Sequence, residues 1–224
     1  SLLTLDQIIN QAAKWYYMFD GKKNVPIVIR LIVGRGWGQG PQHSQSLHSF
    51  FSHIPGLKVV MPSTNSSVIS LLKASILDPN PVIFIEHRWL HNLKFNFSKR
   101  TEVKKLGKAK ILKKGKDITI VTCSYMTIEV LRIKNYLKNN NVNFEHIDLQ
   151  TISPLDIKTI LRSVSKTKRV LVLDIGHKSF GISSEIIAKV SEKLGKKLKH
   201  NPERIALPDI PTPTTYVLAK NYYP

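Results

Sequence analysis

Residues 57–87 read LKVVMPSTNSSVISLLKASILDPNPVIFIEH. The two ends, "LKVVMP" (57–62) and "PVIFIEH" (81–87), are short, apolar and β-branched, as strands inside a sheet are. Between them, Ser63 to Asn65 supply side chains that can cap a helix, and "SSVISLLKASIL" follows as that helix. Upstream, Leu3, Ile8, Ile9, Ala12, Ala13 and Tyr16 recur at helical spacing over 3–18, and "VPIVIRLIV" (25–33) reads as another buried strand. A short helix is expected within "HSQSLHSFFSHI" (43–54), stopped by Pro55 and Gly56. The order helix, strand, helix, strand, helix, strand implies a parallel sheet with helices on its faces.

Residues 88–106, RWLHNLKFNFSKRTEVKKL, break this pattern and read as an interdomain linker. A second set of alternating elements follows. Strands are expected at "DITIVTC" (117–123), "VNFEHIDL" (142–149), "RVLVLDI" (169–175) and "ERIALP" (203–208). Helices are expected at 125–139, 154–166 and 181–195. The fold class is therefore α/β, with two separate domains, each holding its own mainly parallel sheet flanked by helices.

The 224 residues are 42% hydrophobic, enough for a sizeable core. A formal net charge of +19 raises the question of nucleic acid, because Lys and Arg neutralise phosphates. The basic residues are spread along the chain and show no zinc-finger spacing, RNA-binding sheet motif or basic helix repeat, so a solubilising surface is the plainer reading. Cys123 is the single cysteine, which makes no internal disulfide and fits a reducing compartment, cytoplasmic or an organelle matrix. Its apolar surroundings, "ITIVTCSY", suggest a strand end and not a reactive thiolate. No apolar run is long enough to span a bilayer, and no signal peptide is evident.

Chemistry points to "GRGWGQGPQHSQS" (34–46), which follows a strand and so belongs at the carboxyl end of a sheet, where ligands bind in open α/β folds. Its glycines let backbone approach a ligand or a second subunit closely, but the spacing matches neither a P-loop nor a dinucleotide fingerprint. His43 ends the loop and is expected to start a helix, where the dipole favours a neutral imidazole. It can relay a proton near neutral pH, or cap that helix locally. His48 and His53 read as surface or packing residues. His87 and His91 lack the carboxylate or cysteine partners of a metal site. Glu145 and Asp148 point to opposite strand faces and are no catalytic pair. Asp174 could line a cleft, although capping or hydrogen bonding a helix is the plainer role.

The segments "TLDQIINQAAKWYYM", "VPIVIR", "GPQHSQS", "IPGLKVVMPST" and "DPNPVIFIEH" follow one another as in a known family. Together they resemble the β subunit of the decarboxylating component of 2-oxo acid dehydrogenases, of the pyruvate and branched-chain type. "GKAKILKKGKDITIVTCSYM", "IDLQTISPLD" and "KRVLVLDIGHKSFGISSEI" look like the transketolase C-terminal domain of those subunits. The resemblance implies a partial pyrimidine-binding domain over 1–90, a linker over 91–106 and a transketolase C-terminal domain over 107–224. It implies thiamine diphosphate shared with an α subunit that holds the diphosphate and magnesium, in a heterotetramer with a second β subunit. It also implies decarboxylation of a 2-oxo acid and acyl transfer to a lipoyl group of an acyltransferase component.

By the same resemblance His43 serves acyl transfer, with Ser44 and Gln45 orienting it. A potassium ion would be held by backbone carbonyls matching Ile27, Ser75, Ile76, Asp78 and Asn80. Four departures stand out. The chain opens after the point where the family carries a cofactor-activating glutamate and a stacking aromatic, which implies a truncated form, inactive alone. Ser153 stands where many members have arginine, and "DIPTPTTYVLAKNYYP" precedes a terminal helix expected to be missing. "EHRWLHN" departs from the pyruvate-type pattern, which keeps open another thiamine diphosphate enzyme, transketolase-like or sugar-modifying. A non-catalytic basic scaffold binding nucleic acid is the third reading.

Overall fold

The computed structural model describes residues 2–36, 38–94, 103 and 105–223. Of the expected linker, residues 95–102 and 104 lie outside the described residues, as does Trp37 of the glycine loop.

The expected helix over 3–18 forms in three pieces: a 3-10 turn Leu2–Thr4, a π-helical stretch Gln7–Ala12 and α1 (Ala13–Met18). A π turn bonds residues five apart. It thereby places Ile8 and Ala13 on one face, and both are buried. Strand β1 (Val28–Val33) leads to the glycine loop, then α2 (His48–Ser52). Next come β2 (Lys58–Val60), α3 (Asn65–Ile76) and β3 (Val82–His87), the parallel unit that residues 57–87 foretell. Thr64 caps α3: its hydroxyl accepts from Ser67 N–H, and the Thr64 backbone N–H donates in return to the Ser67 hydroxyl.

The second half runs β4 (Lys110–Lys113), β5 (Ile118–Thr122), α4 (Tyr125–Arg132), α5 (Lys134–Asn139), β6 (Phe144–Asp148) and β7 (Thr151–Ser153). It continues through α6 (Ile157–Thr167), β8 (Val170–His177), α7 (Ile182–Leu194), β9 (Glu203–Leu207) and α8 (Tyr216–Tyr222). The helix expected over 125–139 breaks at Ile133, whose backbone leaves helical geometry. The closing stretch 209–223 forms α8, capped by Thr215.

Two sheets result, in the orders β1-β3-β2-β7 and β4-β6-β5-β8-β9. Pairings are parallel except β4 on β6 and β7 on β2. The chain forms the expected two α/β units, each with its own mainly parallel sheet, and β7 crosses from one to the other. This strand follows β6 in the chain yet closes the first sheet beside β2, and the Ser153 hydroxyl donates to Leu57 O. The largest buried cluster likewise runs through both halves, from Val33, Phe51 and Val59 to Cys123, Val172 and Ile186. Strand β1 was expected to be buried, but among the described residues it has one neighbour, β3, and it leaves Ile32 52% exposed; central β3 buries Val82 through Ile85 completely.

In the second sheet the chain moves from β5 to β6 on one side and then to β8 on the other. The crevice beyond the carboxyl ends of β5 and β8 is thus a switch point, where open α/β sheets take ligands. Here the first half fills it. His48 from α2 bonds Asp174 of β8, Nε2 to Oδ1 at 2.9 Å, and the Ser63 hydroxyl donates to Asp148 of β6 at 2.6 Å.

Candidate active site

The carboxyl ends of β1 and β3 lie side by side, Val33 opposite His87. The chain leaves β1 through Gly34, whose φ of +84° suits glycine, and a β-carbon there would stand 2.5 Å from His87 Nε2. One at Gly36 would stand 2.1 Å from Arg88 Cδ. The glycines therefore let the loop lie directly over the end of β3. His87 is buried there; its Nδ1 accepts from Trp89 N–H and its ring stacks on Tyr125, centroids 5.1 Å apart. Burial chiefly, with His48, His91 and Arg88 nearby, pushes its pKa down to about 3, so the ring is neutral at any physiological pH.

The loop ends in a 3-10 turn, Pro41–His43. This corrects the expected helix start at His43, because Ser44 leaves helical geometry and α2 begins only at His48. A helix-dipole effect on His43 therefore does not apply. The buried Ser44 hydroxyl donates to Gln39 O at 3.1 Å, and the Gln45 amide donates to Gln42 O at 3.4 Å. Both side chains brace the turn's backbone. His43 itself is exposed and lines a cavity of about 450 Å³. The cavity is walled by Val33, Leu47, Phe51 and Ile85, with Gln39 and Gln45 among its polar groups. An accessible imidazole beside an apolar recess can move a proton to or from a bound reactant.

The other titratable groups are placed differently. His48, read as a surface or packing residue, is fully buried in the seam. Burial opposes charge on Asp174, but His48 and the N–H groups of Gly176 and Ser183 outweigh it and hold the carboxyl below its ordinary range. Asp174 thus does hydrogen-bond the start of α7 as expected, and it holds His48 as well. The signal for this pair was faint: a histidine on a short helix and an aspartate 126 residues away. His53 is exposed, as expected. Glu145 accepts from Lys166 and Gly115, while Asp148 accepts from Ser63, Thr127 and Gln150, so the two carboxylates serve separate networks. Cys123 is buried, and burial raises its thiol pKa, as an inert strand-end cysteine requires. Among the described residues no group of three or more His, Cys, Asp or Glu could hold a metal.

The carbonyl set named for potassium gathers at the opposite, amino-terminal end of β2 and β3. Ile27 O accepts from Val82 N–H at 3.0 Å and Ser75 O from Asp78 N–H at 3.3 Å. The Lys58 ammonium sits on the Asp78 carboxylate, 2.5 and 2.7 Å from its oxygens. Asn80 Oδ1 is buried with no hydrogen-bond partner among the described residues.

Comparison with known proteins gives this geometry a family. The description "Transketolase, pyrimidine binding domain" matches residues 3–93, and "Transketolase, C-terminal domain" matches residues 107–224. The chain is 41% identical over 219 residues to the acetoin:2,6-dichlorophenolindophenol oxidoreductase subunit beta of Cupriavidus necator, covering 98% of this chain and 65% of that protein. It is 40% identical over 220 residues to the pyruvate dehydrogenase E1 component subunit beta of Rickettsia bellii, covering 98% and 68%. The mitochondrial pyruvate dehydrogenase E1 component subunit beta-1 of Arabidopsis thaliana is 41% identical over 217 residues, and the chain spans 60% of its length. A solved structure described as "Split gene transketolase, inactive beta4 tetramer" superposes with a TM-score of 0.76 over 97% of this chain and 66% of that one, at 20% identity, which speaks for the fold alone. The chain belongs to the transketolase-like family of pyruvate and acetoin dehydrogenase E1 β subunits.

Proposed function

We propose that this chain is the β-subunit part of a thiamine diphosphate-dependent 2-oxo acid dehydrogenase, acting in oxidative decarboxylation and acyl transfer to lipoyl. The observation that carries the reading is the exposed His43 imidazole on a 450 Å³ apolar-walled cavity at the carboxyl ends of β1 and β3. Such a recess, with amide side chains among its lining groups, fits a flat heteroaromatic ring such as the pyrimidine. When bound, thiamine diphosphate would supply the carbon nucleophile and the electron sink that decarboxylation of a 2-oxo acid needs. Val33, Leu47, Phe51 and Ile85 would exclude water from that chemistry. Acyl transfer to a lipoyl disulfide opens the S–S bond: one sulfur takes the acyl group and the other needs a proton. His43 would donate that proton.

An α subunit would hold the diphosphate and magnesium, and a second β subunit and a lipoyl acyltransferase would complete the assembly. The free, buried Cys123 suits a reducing compartment, cytoplasm or organelle matrix. The carbonyls of Ile27, Ser75, Ile76, Asp78 and Asn80 are offered as a potassium site. The unpartnered Asn80 Oδ1 supports it, while the Lys58 ammonium already places one positive charge at that corner.

The test is His43→Ala in the α/β enzyme assembled around the full-length β chain. Acyl transfer to lipoyl should fall by about 10²–10⁴-fold, and decarboxylation in the presence of an artificial oxidant should fall far less. Equal loss of both, or no loss, defeats the role. A second reading takes acetoin in place of a 2-oxo acid, favoured by the 41% identity to the acetoin oxidoreductase subunit. Product analysis with pyruvate and with acetoin separates the two.

A further inference from the structure

We propose that Arg35 is a positioning residue, which ties the His43 loop to the backbone of the segment leading into α8 and so holds the imidazole in place. The inference rests on the role proposed for His43. Arg35 Nε donates to Pro213 O at 3.2 Å and Nη2 to Thr214 O at 2.7 Å. One planar guanidinium thus binds two successive carbonyls, which a lysine ammonium cannot reproduce. Five residues on, Gly40 passes so close to Thr214 that a β-carbon would lie 2.8 Å from its Oγ1. Beyond His43, the buried Thr212 hydroxyl lies 3.5 Å from Ser44 O and 3.1 Å from the Tyr222 hydroxyl. The Tyr223 ring, next in the chain, packs on Trp89 with centroids 4.8 Å apart.

The three contacts bracket His43: Arg35 before it, Gly40 just ahead of its turn, Ser44 directly after. All three come from residues 212–223, more than 160 positions along the chain. A glycine-rich loop has many conformations to lose, so a tie outside the loop decides whether its histidine has one position or several. A purely stabilising staple would raise the melting point of the chain and leave the His43 ring indifferent to its removal.

The experiment uses the chain with ¹⁵N-labelled histidine, following imidazole signals by two-dimensional NMR, with His43 assigned from His43→Gln and His48 serving as a folding control. Arg35→Ala should broaden or split the His43 signal while His48, sealed against Asp174, keeps its position. Arg35→Lys should do the same to a smaller degree, and it carries the test if the alanine variant fails to fold. An unchanged His43 signal in either folded variant overturns the proposal. In the assembled enzyme, Arg35→Lys should lower kcat for acyl transfer by about tenfold or more with KM for the keto acid unchanged. If His43→Ala proves harmless, the function reading fails while the NMR result still stands or falls separately.

Discussion

His43 and His48 are five residues apart and live in opposite regions. His43 sits on an exposed loop, beside a cavity, on a turn built from backbone contacts. His48 has no exposed surface, and its ring is bonded to a carboxylate from the other half of the chain. The first region is open because glycines keep side chains out of it; the second is sealed because two halves close over it. A histidine that must meet a reactant belongs in the first. One that must hold two units in register belongs in the second, where loss of either partner strands a buried polar group.

That contrast is open to attack on three fronts. Asp174→Ala removes the partner of His48 and the acceptor for the Gly176 and Ser183 N–H groups. It should cost about 3–5 kcal/mol in urea unfolding and leave the His43 NMR signal in place. A cost within about 0.5 kcal/mol, as for an ordinary surface change, would mean that the seam is not sealed as described. Gly34→Ala attacks the open region through its backbone. It should cost about 2–4 kcal/mol, from positive φ and from crowding the His87 ring. Here the His43 signal should move, the reverse of the Asp174 variant.

The most gradual effect is the response to acid. Burial holds His87 down to about 3 and His146 to about 4, against an ordinary 6.5. As pH falls below 6.5 the unfolded chain takes up protons that the folded chain refuses. Stability should therefore drop from about pH 6.5 toward 4, by up to roughly 1 kcal/mol per pH unit for each histidine. Asp148 works in the opposite sense: burial raises its carboxyl, so the folded chain takes up that proton first and gains stability as pH falls through the raised value. The depressed carboxyls of Asp174, Glu145 and Asp156 lose their contribution only below the ordinary carboxylate range. His87→Asn keeps an acceptor for Trp89 N–H and should flatten the slope between pH 6.5 and 4, read as the shift in urea midpoint. An unchanged slope would place the acid response elsewhere.

Local chemistry made most elements legible. Apolar β-branched runs located β3, β5, β6 and β8, and the capping side chains Ser63, Thr64 and Asn65 located the cap of α3 within one residue. The loop carrying His43 was legible from its glycines and its place after a strand. Strand β7 was not, because Thr151–Ser153 carry too short a pattern to announce a partner some ninety positions earlier, and that pairing is what joins the halves. The short α2 was legible within 43–54 but not its start at His48, since the chain around His43 is pulled into a 3-10 turn by Pro41 and by Ser44 bonding Gln39 O.

Residue order, through side-chain shape and the period of apolar positions, settled the alternating α/β elements, the parallel unit at 57–87 and the family. These are effects that act over a few residues. The His48–Asp174 pair, the Ser63–Asp148 bond and the Arg35 tie to residues 213 and 214 join positions 85 to 179 apart. Such partners are chosen by how the two halves pack, because a buried polar group takes whichever partner the closing interface brings within 3 Å. Folding therefore assigned the two histidines their different environments.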